Sequence, residues 1–130
     1  MNELTLLEEV TVQEFRLELV DDSAARTRNL SGLLTAEEAL IDIRRVLSVR
    51  DMEMWKQWDM DGYQPDMNDE ELEDRHTINC QKFYQMEEIV SIQNVYDLGT
   101  ERNCKIALKD LESILAMSDE EVCKYVQMCA

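Results

Sequence analysis

The sequence predicts a mainly α-helical, compact domain with a minor β element, on three observations. A Thr, Asn or Ser followed three residues later by Glu, the mark of a capping box, precedes apolar-periodic runs at Thr35/Glu38, Asn68/Glu71 and Ser118/Glu121. Apolar residues in those runs recur every three or four positions, as they do on one face of a helix. The chain has only 3 Gly and 1 Pro in 130 residues, few breakers for its length. This length fits a single domain spanning 1–130. Leu, Ile, Val and Phe make up a quarter of the chain, which places it on the folded side of the disorder boundary despite its charge.

The first element carries the β expectation. At about 100° per residue, Val10, Val12, Phe15, Leu17, Leu19 and Val20 scatter around a whole helix, yet they alternate, with a change of phase near Gln13-Glu14. Residues 9–20 therefore read as an extended segment with a bulge, with a helix capped by Thr11 and Glu14 as the alternative. Asp21-Asp22-Ser23 reads as a turn, leading into a loop or irregular helical turn that runs to Gly32. Thr35 then opens the clearest helix, whose face is Ala36, Ala39, Leu40, Ile43, Val46 and Leu47.

Residues 52–58 are ambiguous: Met52, Met54, Lys56, Trp58 and Met60 alternate like a strand, while Met, Glu, Lys and Gln favour helix. A turn over 59–66 follows, and Asn68 caps a helix from Asp69 to about Met86 with Leu72, His76, Asn79, Cys80, Phe83, Met86 and Val90 on its face. The β-branched run at 89–96 either extends that helix to Gly99 or forms a strand; if 52–58 and 89–96 are both strands, the fold becomes α+β. Cys104, Ala107, Leu108, Leu111, Ile114 and Leu115 form another amphipathic face, and Ser118 restarts a short helix carrying Val122, Cys123, Val126 and Cys129. No internal repeat or low-complexity tract interrupts the pattern.

Composition excludes several functions. The chain holds 29 Asp or Glu against 13 Lys or Arg, a formal charge of −16, which sets it against direct binding to nucleic acid or anionic lipid. The N-terminus has no basic region and no uninterrupted apolar stretch, so a cytoplasmic protein is expected. Cys80, Cys104, Cys123 and Cys129 lie in periodic segments and are expected to be reduced, small hydrophobes.

No motif identifies a reaction. Asp59, Asp61 and Gly62 suggest part of a calcium loop, but with Gly62 sixth the first position is Gln57 and the twelfth Asn68, so both ends fail. Glu73 and His76 have the spacing of a di-iron helix, a site that needs a second histidine, and the chain has only one. His76 and Cys80 could face one zinc ion with Cys104, Cys123 or Cys129. No Cys-x-x-Cys supports this, and Cys123 and Cys129 stand about 240° apart on an ideal helix. As a nucleophile pair, Cys80 and His76 lack a third orienting group. With one His, no phosphate loop and no nucleophile elbow, neither an enzyme nor a cofactor or metal is expected.

The densest feature is acidic. Asp59, Asp61, Asp66, Asp69, Glu70, Glu71, Glu73 and Asp74 put eight carboxylates into sixteen residues with no Lys or Arg among them. The blandest account is a solvated turn feeding a helix N-terminus, where the dipole favours acids. Trp55, Trp58 and Tyr63, among Met52, Met54, Met60 and Met67, crowd the same region as core plugs or as a binding surface. The expected function is that of a small acidic, non-catalytic inhibitor that covers a basic, nucleic-acid-binding surface of a larger protein. In type it resembles the DNA-mimic and anti-CRISPR proteins of phages and mobile elements. Its contact residues would be Asp59, Asp61, Asp66, Asp69, Glu70, Glu73, Asp74, Trp55, Trp58 and Tyr63. The alternative is an adaptor or assembly subunit that binds through the Trp/Met face, its charge serving solubility.

Overall fold

The computed structural model describes residues 4–28, 34–58, 66–91 and 98–129, with the backbone alone at 28, 58 and 125–129. Six helices follow one another: α1 (Leu6–Arg28), α2 (Ala36–Ser48), α3 (Asp51–Trp58), α4 (Asp69–Val90), α5 (Glu101–Leu115) and α6 (Asp119–Cys129). No described residue is in a strand.

The segment expected as a bulged strand is the middle of α1. Its capping box is Thr5/Glu8, where the Glu8 N–H donates to Thr5 Oγ1 at 3.2 Å and the Thr5 N–H to Glu8 Oε1 at 3.0 Å. Thr11, read as an alternative cap, instead lies within the helix and donates its hydroxyl to the Leu7 carbonyl at 2.8 Å. The scattered pattern has a physical cause. Helix α1 packs against α2, α3, α4 and α5, and four consecutive residues, Val10, Thr11, Val12 and Gln13, are all buried. A helix enclosed on several sides has no polar face to give it a 3.6-residue period. Asp21-Asp22-Ser23 likewise continues α1 and makes no turn.

Helix α2 starts at the predicted capping box, with Glu38 N–H donating to Thr35 Oγ1 at 3.1 Å, and buries Ala36, Ala39, Leu40, Ile43 and Leu47. Residues 52–58 are helical, but in a separate helix, because Val49 is extended and α3 restarts at Asp51. Helix α4 begins where Asn68 accepts from the Glu71 N–H at 2.9 Å. It ends at Val90, short of Gly99, with Ser91 extended; residues 92–97 of the expected 89–96 segment lie outside those described. Helix α5 matches its predicted face, with Cys104, Ala107, Leu108, Leu111 and Ile114 buried; of the face expected for α6, Val122 is buried, Cys123 is exposed, and the side chains of Val126 and Cys129 lie outside those described.

One core joins α1, α2, α4 and α5 through Val20, Ala24, Ile43, Met86, Leu108 and Leu111. Helix α3 lies against α1, and α6 against α4. At the meeting of α1, α2, α3 and α4 is Arg16, fully buried. Its Nη1 donates to the carbonyls of Val46 (3.0 Å) and Val49 (2.6 Å), its Nη2 to Asp51 (2.5 Å) and its Nε to Gln13 (3.1 Å). The guanidinium also lies 4.8 Å from the centre of the Phe83 ring. It thus caps the C-terminal carbonyls of α2 and pairs with the first residue of α3, a cation and an anion each placed at the helix end that favours it.

Replacing Arg16 with Met should lower the unfolding free energy by about 3 kcal/mol, because it orphans two carbonyls and one carboxylate. Asp51→Asn, at a half-exposed partner, should cost less than about 1 kcal/mol. Urea denaturation of both variants checks the ranking, and equal losses would refute it.

Candidate functional site

The acidic segment divides between the approach to α4 and its first turns. Asp66, Asp69, Glu70, Glu73 and Asp74 are exposed, and none forms an ion pair with another described residue. Asp69, Glu70 and Glu71 occupy the first turn, where unpaired N–H groups and the helix dipole stabilise anions. Glu71 also accepts from the Asn68 side chain at 3.1 Å. Glu73 and Asp74 lie beyond that turn and have no such account.

The cations of α4 are already engaged. Arg75 makes a two-pronged contact with Asp119 of α6, at 2.7 and 3.2 Å, and reaches Glu14 of α1 at 3.7 Å. Lys82 is buried and points its ammonium at the carbonyl of Leu115, 3.5 Å away, at the C-terminus of α5. Burial lowers its pKa and nearby Asp119 opposes that shift. Glu71, Asp74, Asp119 and Glu120 rim a cleft of about 400 Å³ between α4 and α6, over Met67 and Ile78.

Helical spacing carries the acidic face further than the dense segment. Glu70, Glu73, Asp74, Thr77, Tyr84 and Glu88 fall within about 60° of one line along α4, and all are exposed. Tyr84 is 61 % exposed, one of the few large apolar side chains left to solvent. Glu87 and Glu88 are also exposed, in the last turn, where the dipole disfavours anions and no basic residue is present. Glu87 draws on Arg16 electrostatically; Glu88 has no ion pair with a described residue. Sequence reading missed Tyr84, Glu87 and Glu88, although their three- and four-residue spacing from Asp74 through Gln81 was available as a signal.

The other expected contact residues are less concentrated. Asp59, Asp61 and Tyr63 lie outside the described residues, as does most of the calcium-loop register. Trp55 is half-buried on α3, and the side chain of Trp58 is also outside the described set. Among the described side chains of α3, Met54 is the buried one, at 1 % exposure, in one of the two roles open to the tryptophans.

Searches of protein-family models, curated proteins and solved structures return no match. Among the described residues no helix is long and apolar enough to cross a membrane.

His76 and Cys80 do meet. His76 Nε2 lies 3.5 Å from Cys80 Sγ and 3.0 Å from Glu9 Oε2 of α1. Glu9 is the third group that sequence reading did not find, but it contacts the same ring nitrogen as the thiol and so does not orient the ring from the far side, as a relay requires. Burial, followed by the charges of Asp51 and Glu9, raises the Cys80 pKa, so the group is a thiol at neutral pH. Among the described residues no three His, Cys, Asp or Glu side chains are placed to hold a metal ion. Glu73, exposed, does not join His76 on an interior face as a di-iron pair must. Cys80 and Cys123 are free thiols, Cys104 is buried as expected and donates to the Leu98 carbonyl at 3.3 Å, and Cys123 is exposed.

Two outcomes follow from these environments. In thermal denaturation Asp69→Lys should destabilise and Glu88→Lys should stabilise, each by about 0.3–1 kcal/mol, because the two sites are at opposite ends of one helix dipole. In peptide mapping after timed N-ethylmaleimide treatment at pH 7.5, Cys80 should label about tenfold more slowly than Cys123, the raised pKa acting in the same direction as burial.

Proposed function

We propose that this protein is a small, non-catalytic acidic regulator that binds a basic surface on a larger protein, one that otherwise holds nucleic acid. The observation that carries the reading is the outward face of α4, where Glu70, Glu73 and Asp74 are exposed at one end and Glu88 at the other, while the helix's own Arg75 and Lys82 are turned to other partners. Carboxylates one turn apart, as Glu70 and Asp74 are, rise about 6 Å along the axis, close to the spacing of successive phosphates. The whole helix, 22 residues, measures about 33 Å, the length of about one turn of B-DNA. A charge of −16 would also steer the protein toward a basic cleft before contact.

The adaptor reading has less support, because, among the described side chains of α3, Met54 is spent in the core and Trp55 is half-buried.

Affinity capture from host lysate at low salt, with elution by high salt and mass spectrometry, names the partner. The captured protein should then release a labelled duplex when this protein is added. The triple reversal Glu70→Lys, Glu73→Lys, Asp74→Lys should weaken binding by about tenfold or more, with Trp55→Ala close to wild type. Affinity that is unchanged between 50 mM and 500 mM salt, or the opposite ranking of the variants, would overturn the proposal.

A further inference from the structure

We infer that the part of the α4 face around Tyr84 is a docking site for an arginine side chain of the basic partner, its guanidinium stacked on the Tyr84 ring and paired with Glu88. This rests on the reading above and adds the residue type that the partner must present there.

Three observations on this stretch point the same way. Tyr84 is 61 % exposed at the middle of a face with no free cation among the described residues, an arrangement that leaves a large aromatic ring in water. Glu88 is one turn further on, and helical side chains lean toward the N-terminus, which brings its carboxylate over the turn that holds Tyr84. Glu88 also stands where the helix dipole opposes it, with no ion pair to a described residue, so the fold gains nothing from its charge. The helix already practises this chemistry on its inner side. At the adjacent position, Arg16 stacks on Phe83 at 4.8 Å while its Nη2 donates to Asp51. Phe83 and Tyr84 pack edge to face, with centres 5.7 Å apart and planes at 61°, so the outer ring is braced before any partner arrives. A planar guanidinium can stack and donate in parallel, which a lysine ammonium on its flexible stem does less well.

Fluorescence anisotropy with labelled octa-arginine and octa-lysine, on the full chain at one ionic strength, tests the assignment. Wild type should bind octa-arginine about three- to tenfold more tightly than octa-lysine. Tyr84→Ala and Tyr84→Leu should each bring that ratio close to one with little change in octa-lysine affinity, Tyr84→Phe should keep it, and Glu88→Gln should reduce it. Tyr84 is exposed enough that circular dichroism should show all four variants as helical as wild type. Equal affinities in wild type with steep salt dependence would overturn the arginine assignment alone, as would a ratio that survives both Tyr84→Ala and Tyr84→Leu. Failure of both peptides to bind would overturn this inference together with the basic-partner reading.

Discussion

A single buried guanidinium sets the terms for the fold. Arg16 lies in the most enclosed part of α1, and a cation there is tolerated only if acceptors surround it. Burial lowers its pKa, and Asp51 first and Glu87 after it pull the pKa back up, but a guanidinium stays charged in either case. Satisfying it brings two carbonyls from the end of α2, a carboxylate from the start of α3 and an aromatic face from α4 to one point. The break between α2 and α3 is a consequence. The chain turns at Val49 with neither Gly nor Pro to help it, because the carbonyls freed there have a donor waiting on α1.

The scarcity of cations extends this logic to the surface. With 13 basic residues against 29 acidic ones, the positions of Lys and Arg decide where negative charge is left over. Arg16 ties α1 to α2, α3 and α4, Arg75 ties α4 to α1 and α6, and Lys82 ties α4 to α5, whereas Arg45, Arg50 and Lys124 pair with acids on their own or an adjoining turn. None of these side chains covers the outer side of α4. Negative charge on the helix is thus left at its two ends, at Asp69–Asp74 and at Glu87 and Glu88, with no acidic residue between them.

How much of this was legible in the sequence depended on how many sides of a helix are covered. Helices α2 and α5 pack through one face each, so their periodicity marks them, with the Thr35 cap adding to it for α2; the Thr100 cap of α5 is seen only in the structure. Helix α1 is covered on several sides, so its apolar residues show no helical period, and Val10 with Val12 imitates a strand; the Thr5/Glu8 box was the better guide. The elbow at Val49 could not be read locally, since the residue that stabilises it lies thirty positions upstream. For the candidate site, the first turns of α4 were legible as a dense acidic run. Tyr84 and Glu88 were legible only through their helical spacing from Asp74, a weaker signal, because they are single residues whose meaning comes from sharing a helix face with Glu70 and Asp74. The Glu9 contact to His76 joins two helices and has no local signal at all.

The central claim is a division of labour: buried cations hold the frame, and the exposed acids of α4 beyond its first turn add little to it. The most direct test is the unfolding free energy, from urea denaturation at low ionic strength, of a protein carrying Glu73→Gln, Asp74→Gln, Glu87→Gln and Glu88→Gln together. The account predicts a value within about 1 kcal/mol of wild type or above it, since neutralising a charge-dense face relieves repulsion and removes two anions from an unfavourable helix end. A loss of several kcal/mol would contradict it, by showing that these carboxylates belong to the frame after all.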